Sequence, residues 1–316
     1  MKTNGHDSTV TLDLDGTQQR VRICGRTGLP LLLVVQGGPG LPLLNEIGKF
    51  QQRLNLEQNF SVAYWDQRGC GAAASKDAER VSLQTQVDDL CAVIRWLSEK
   101  TQQQMLLFGI SIGGTIALQA AVREASKLKA AVVVSVDTDT SAADQAALTF
   151  LQEGSRNGNH KKISQTLEKL GPPPYLDLKP FQSRGRLMGD LGGIEYGRRF
   201  GELFLGLLSS LVSTYGPFGT VRTLRNMNTI QRRSLAELAK LNLFANWPRP
   251  EIPVHYIFGD RDPLNSSAMV QRVSGVITEK DTIVTLPNAG HMVHFDQPAA
   301  VRSVILQAWN AGILPA

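Results

Sequence analysis

Cysteine is scarce in this chain: Cys24, Cys70 and Cys91 are the three in 316 residues, and no two form a CxxC pair. One thiol is left unmatched, which excludes a disulfide framework and a cysteine-built zinc site; all three are expected as buried or half-buried thiols. Long apolar runs are missing too. Stretches such as Leu29–Val35 fall far short of the roughly 20 residues that cross a bilayer, so no membrane span is expected. The first ten residues, MKTNGHDSTV, place no apolar stretch behind their single Lys. No secretory leader is therefore expected, and the protein reads as cytoplasmic. Blocks of five or six like charges are absent despite a net charge of +5, which argues against a nucleic-acid partner. No cluster of His, Cys, Asp and Glu has metal-ligand spacing, and no repeat is visible.

What is present suits a large folded core. Hydrophobic residues make up 42% and charged residues 19%, a balance that excludes a disordered tail or a coiled coil. Leu29–Val35 and Phe60–Trp65 are short apolar runs ending in Gly-rich or polar turns, and both read as buried strands. Between Ser82 and Thr101, Val87, Leu90, Ile94 and Leu97 recur at threes and fours behind a Ser placed to cap, which predicts an amphipathic helix. Met105–Phe108 reads as a further strand, the Ala- and Leu-rich TIALQAAVRE as a helix, and Ala130–Val136 as another strand. Alternating strands and helices of this kind imply an α/β fold with a parallel sheet covered on both faces.

After Val136 the rhythm breaks for about 115 residues into helical segments punctuated by GPPPY (Gly171–Tyr175) and GPFG (Gly216–Gly219). The strand pattern resumes at Pro253–Phe258 and Asp281–Leu286 and ends in a helix over Pro298–Trp309. Residues 1–137 and 250–316 are thus expected to form the core, and 138–249 an inserted helical cap. The cap carries the charge excess: Ala142 to Pro248 holds 14 Lys and Arg against 8 Asp and Glu, a balance of +6, leaving −1 for the rest.

The chemistry concentrates at turns that follow strands. Gly109-Ile110-Ser111-Ile112-Gly113 has the spacing of a nucleophile elbow and lies between a strand and a helix, which makes Ser111 the candidate nucleophile. A serine hydroxyl needs a base and a group to orient that base, in the chain order Ser, acid, His. Gly259-Asp260-Arg261-Asp262-Pro263 and Asn288-Ala289-Gly290-His291 follow the two late strands, where an open sheet places its ligand crevice, and supply Asp262 and His291. Asp260, Asp137, Asp139 and His294 compete. A capping or salt-bridged turn role is expected for Asp260, and a satisfied, partly buried ring for His294. His255 inside an apolar strand and His6 and His160 in polar segments are poor bases. The oxyanion is expected to meet the backbone N–H of Ile112 and one from the loop Gln36-Gly37-Gly38-Pro39-Gly40.

Gln36–Gly40 resembles the HGGPG loop, and Asp66-Gln67-Arg68-Gly69-Cys70-Gly71 the DQRGxG loop, of the proline iminopeptidase branch of the α/β-hydrolase fold. With the elbow, GDRD and GH, these motifs span most of the core. The resemblance implies an eight-stranded, mostly parallel sheet, a helical cap between strands six and seven and no cofactor. It implies Ser111, Asp262 and His291 as the triad, with Gly38 and Ile112 as oxyanion donors and Gly37 beside them. It also implies that Asp66 and Arg68 hold a loop beside the site through a buried charge-assisted pair. The chain departs from the family in placing Gln36 where the histidine stands and in flanking Ser111 with Ile110 and Ile112. The Glu-Asn-His run that grips a substrate ammonium is also missing from the cap. Glu195 and Glu202 are expected on solvated helix faces, and a cap of +6 is a poor host for a cation. The expected function is cofactor-free hydrolysis of an ester or amide in a small-molecule or peptide substrate, through an acyl-enzyme. An esterase, lactonase, thioesterase or biosynthetic acyl hydrolase is the alternative to an aminopeptidase, and a non-catalytic receptor on the same fold the more distant one.

Overall fold

The computed structural model describes residues 7–73, 76–157 and 161–311. Its strands are β1 (Ser8–Leu14), β2 (Thr17–Cys24), β3 (Leu31–Val35), β4 (Ser61–Asp66), β5 (Met105–Ile110), β6 (Leu128–Val134), β7 (Val254–Gly259) and β8 (Thr282–Leu286). They form one eight-stranded sheet in the order β1-β2-β4-β3-β5-β6-β7-β8. β1 and β2 pair antiparallel, as do β2 and β4, and every later pairing is parallel. Six strands coincide with the apolar runs read from the sequence. β1 and β2 do not, because they alternate exposed and buried positions and so never form a continuous run. Their signal is the Asp15-Gly16 turn, where both residues take positive φ, 52° and 71°.

The helices are α1 (Ile47–Arg53), α2 (Leu83–Thr101), α3 (Ile112–Arg123), α4 (Thr140–Asn157), α5 (Lys161–Leu170), α6 (Leu178–Asp190), α7 (Phe200–Leu238), α8 (Ser267–Ser274), α9 (Val293–Asp296) and α10 (Pro298–Asn310). α4 to α7 all fall between β6 and β7, and α7 is broken at Gly216, just before Pro217. No described helix is long and apolar enough to cross a membrane.

Both faces of the sheet are covered, as the side chains of β3 show. Leu31, Leu33 and Val35 join a core with Leu90 and Ile94 of α2 and Ile116 of α3, whereas Leu32 and Val34 join one with Phe50 of α1 and Val301 and Ile305 of α10. Successive strand residues point to opposite faces, so a strand with core on both sides must be apolar throughout. α2 starts where its cap predicts: Ser82 Oγ accepts from Thr85 N at 3.1 Å, and Ser82 N donates to Thr85 Oγ1 at 2.9 Å. Cys24, Cys70 and Cys91 are free and buried, and burial pushes each thiol up, that of Cys24 to about 12.

One buried ionic knot ties the hairpin to this frame. Arg68 donates from Nε and Nη2 to the two carboxylate oxygens of Asp89 in α2, at 2.8 and 2.7 Å, and from Nη1 to Thr17 Oγ1 in β2 at 2.8 Å. Gln19 in β2 donates to the same carboxylate at 2.7 Å. The charge partner expected for Arg68 in its own loop is thus supplied by a helix. Removing one member of a buried pair strands the other, at a cost of about 3–5 kcal/mol. Asp89→Asn is accordingly expected to lower unfolding stability by about that amount in urea titration, and an unchanged midpoint would show that the knot contributes nothing.

Candidate active site

The turn from β5 into α3 is sharp. Ser111 sits at φ 53° and ψ −127°, in the positive-φ region that non-glycine residues avoid, and its N–H donates to Val134 O of β6 at 2.9 Å. The elbow closes because its neighbours lack side chains. A Cβ on Gly109 would meet Gly114 Cα at 2.7 Å, and one on Gly113 would collide with the carbonyls of Val35 and Gln36. Strand and helix therefore approach closely enough to lift the Ser111 hydroxyl into a cavity of about 160 Å³.

His291 reaches the same place from the loop after β8. Its Nε2 lies 2.9 Å from Ser111 Oγ, and its Nδ1 lies 3.0 and 3.1 Å from the carboxylate oxygens of Asp262. Asp262, in the loop after β7, also accepts from Leu264 N at 2.9 Å and from Asn265 Nδ2 at 3.0 Å. All three side chains are buried. Burial alone would raise the Asp262 carboxyl, but the charge and hydrogen bond of His291 hold it below the ordinary carboxylate value. For His291 burial pulls down, and the Asp262 charge and hydrogen bond win, raising the imidazole above its ordinary value. The three residues singled out by motif spacing thus lie in one hydrogen-bonded line.

The competing groups separate. Asp260 accepts from Ala289 N at 3.3 Å and faces Arg261 at 3.8 Å, a turn role. Asp139 accepts from Ala142 N at the start of α4 and pairs with Arg272, both at 3.0 Å. His255 Nδ1 meets Thr282 Oγ1 at 2.8 Å. His294 departs from expectation: it is wholly buried against Phe50 and Phe108, neither ring nitrogen has a hydrogen-bond partner among the described residues, and burial holds its imidazole well below its ordinary value. His6 and His160 lie outside the described residues. Asp137 stays at the site, accepting a hydrogen bond from Ser111 Oγ at 3.3 Å.

The loop after β3 comes up against the elbow. A Cβ on Gly37 would stand 2.7 Å from Ile110 O and 2.9 Å from Ser111 Cβ, so only glycine fits there. Gln36 replaces the family histidine without losing the loop: its Oε1 accepts from Gly37 N at 3.2 Å, and its Nε2 donates to Pro42 O at 3.4 Å. The Gly37 N–H is therefore occupied, while Gly38 and Ile112 line the cavity beside Ser111. Asp66 anchors the far end of the loop, its Oδ1 accepting from Leu43 N at 2.8 Å and Leu44 N at 3.0 Å.

The helical insertion supplies the remaining walls and corrects one expectation. Glu195 is not solvated: it is 4% exposed and pairs with Lys49 and Arg198, whereas Glu202 is exposed as expected. The cavity wall carries charge of both signs, since Asp137, Asp144 and Arg184 all line it. Arg184 of α6 is buried and paired with Asp144 of α4; burial lowers its guanidinium to about 10, against the pull of Asp137. No motif marks Arg184 or Asp144, and an Arg in a helical stretch reads as surface by default. Among the described residues no group of three or more His, Cys, Asp or Glu could hold a metal ion.

Comparison with known proteins gives this geometry a lineage. The alpha/beta hydrolase family model matches residues 40–304. A probable aminopeptidase, YbaC of Bacillus subtilis (strain 168), is 24% identical over 295 residues, covering 91% of this chain and 92% of its own. The proline iminopeptidase-related protein of Thermus thermophilus superposes with a TM-score of 0.65 at 20% identity, over 98% of this chain and 99% of that one. A haloalkane dehalogenase loop variant from Bradyrhizobium elkanii gives 0.64 at 16% identity, over 98% and 97%. At such identities the two structures speak for the fold alone. The family match covers most of the chain and agrees with its eight-stranded sheet, so the chain belongs to the alpha/beta hydrolase family.

Proposed function

We propose that the chain is a serine hydrolase that cleaves an ester or amide bond through an acyl-enzyme, with Ser111, His291 and Asp262 as its triad. The observation that carries this reading is the unbroken line from Asp262 through His291 to the Ser111 hydroxyl, with heavy-atom separations of 3.0 and 2.9 Å. His291 Nε2 takes the hydroxyl proton as Oγ attacks the carbonyl carbon, then returns it to the leaving group. Water, activated in turn by His291, attacks the acyl-enzyme and restores Ser111. Asp262 keeps Nδ1 protonated and steadies the imidazolium. The Gly38 and Ile112 N–H groups receive the oxyanion, while Gly37, its own N–H held by Gln36, lets the loop come close.

The small cavity, walled by side chains such as Phe181, Leu235 and Leu264, suits a short acyl group. The name of the Bacillus subtilis relative, a probable aminopeptidase, favours an amide substrate with a free N-terminus. A panel of aryl esters beside prolyl and alanyl arylamides distinguishes the two bond classes, with arylamide turnover expected under the peptidase reading. The dehalogenase likeness does not extend to the nucleophile, since those enzymes resemble this core but carry Asp where Ser111 stands.

Ser111→Ala is expected to lower kcat by a factor on the order of 10⁴ to 10⁶ with the fold intact; undiminished hydrolysis by that variant would remove the assignment. The pH profile offers a second check. His291 must be neutral to act as base, and its imidazole is held above the ordinary value of 6.5. The acid limb of kcat/KM is therefore expected to rise with pH through a midpoint above 6.5. A limb centred below that value would contradict the coupling of His291 to Asp262.

A further inference from the structure

Among the described residues, the carboxylates around the cavity do not all form an ion pair. Asp262 is matched by His291, Asp144 by Arg184 and Asp139 by Arg272. Asp137, three residues beyond the end of β6, faces the same cavity, and its carboxylate hydrogen bond comes from the nucleophile itself, Ser111 Oγ at 3.3 Å. Arg184 stands on the same wall, but its guanidinium closes on Asp144.

Ser111 has one hydroxyl proton and two groups in line for it. If the hydroxyl donates to Asp137, the short contact to His291 is made by a protonated Nε2; with Nδ1 on Asp262 the ring is then an imidazolium and cannot act as base. If Asp137 is itself protonated, its O–H engages the Oγ lone pair that has to attack. Either way the contact opposes nucleophilic attack. Burial raises the Asp137 carboxyl above its ordinary value, with His291 and Arg184 pulling against it, so a cation hydrogen-bonded to it would favour its ionised form.

We propose that Asp137 restrains Ser111 until a positively charged group on the acyl part of the substrate takes its carboxylate. This rests on Ser111 being the nucleophile, as argued above, and adds to it a residue that makes attack depend on substrate charge. The geometry locates the cation. Asp137 touches the atom that bonds the carbonyl carbon, so a group borne on the carbon next to that carbonyl falls within its reach, as an α-ammonium does. Once the ammonium occupies Asp137, the extra proton held by His291 or by Asp137 leaves to solvent, the Ser111 hydroxyl turns to Nε2 of the now neutral His291, and the hydroxyl proton passes to that nitrogen as Oγ attacks. The net positive charge of the insertion does not oppose this, because Asp137 and Asp144 together outnumber Arg184 at the cavity wall.

The test compares alanine benzyl ester with benzyl isobutyrate near neutral pH, a pair that differs by an ammonium in place of a methyl group. The parent chain is expected to favour the alanine ester by about 10- to 100-fold in kcat/KM, the usual range for a hydrogen bond to a charged group. In Asp137→Asn that ratio is expected to fall toward one. A measurement on the parent chain guards against misfolding of the variant: added methylammonium is expected to accelerate hydrolysis of benzyl acetate by supplying the missing cation. A ratio near one in the parent, a ratio retained in the folded variant, or methylammonium that inhibits or does nothing overturns the restraint. Each of these leaves the serine-hydrolase reading standing, because the esters are still turned over. Turnover by the parent chain of neither ester, nor of the prolyl and alanyl arylamides, removes both.

Discussion

The strained backbone of Ser111 is the constraint on which the rest of the site depends. A serine at φ 53° is unfavourable by itself and persists only because its surroundings leave no alternative. Its N–H is fixed to β6, its carbonyl accepts from Gly114 N at 2.8 Å, and Gly109 and Gly113 permit contacts that any side chain would block. The buried sheet supplies that rigidity, with β5 flanked by β3 and β6 and covered on both faces. The hydroxyl is consequently presented at the end of a strand without depending on a flexible loop for its position.

The partners of Ser111 are positioned differently, and the helices between β6 and β7 take part in both cases. His291 N donates to Gly193 O at 2.9 Å and Met292 N to Ile194 O at 2.8 Å, so the histidine loop is hydrogen-bonded to the segment between α6 and α7. On the other side, Tyr215 in α7 donates to Asp66 Oδ2 at 2.7 Å, while the other oxygen of Asp66 holds the loop that carries Gly37 and Gly38. The insertion is therefore more than a cover over the cavity, since it bears on both the loop of His291 and the loop of Gly37 and Gly38. Its charge also divides by location. The excess of Lys and Arg lies along the helices, whereas its contribution to the cavity wall is the balanced pair Asp144 and Arg184.

The legibility of the sequence followed the strength of each local signal. Continuous apolar runs marked β3 to β7, and a capping serine marked α2, because burial on two faces and orphan N–H groups leave residue-level traces, whereas the half-exposed edge strand β8 was marked by its short β-branched run. Ser111, Asp262 and His291 could be singled out because each stands in a short motif at a turn after a strand. β1 and β2 were hidden by their half-exposed alternation. Arg184, Asp144 and the burial of Glu195 were hidden for another reason: a charged residue in a helix carries no mark of the tertiary partner that will bury it. Asp137 was visible as a competing acid, but its contact with Ser111 depends on how closely the ends of β5 and β6 approach, a distance that sequence does not encode.

Mass spectrometry of the intact chain after exposure to a fluorophosphonate, followed by peptide mapping, asks most directly whether Ser111 is an activated nucleophile. A single adduct on the peptide bearing Ser111, absent when His291 is replaced by Ala, is the expected result. An unmodified chain, or an adduct located elsewhere with Ser111 untouched, would contradict the account.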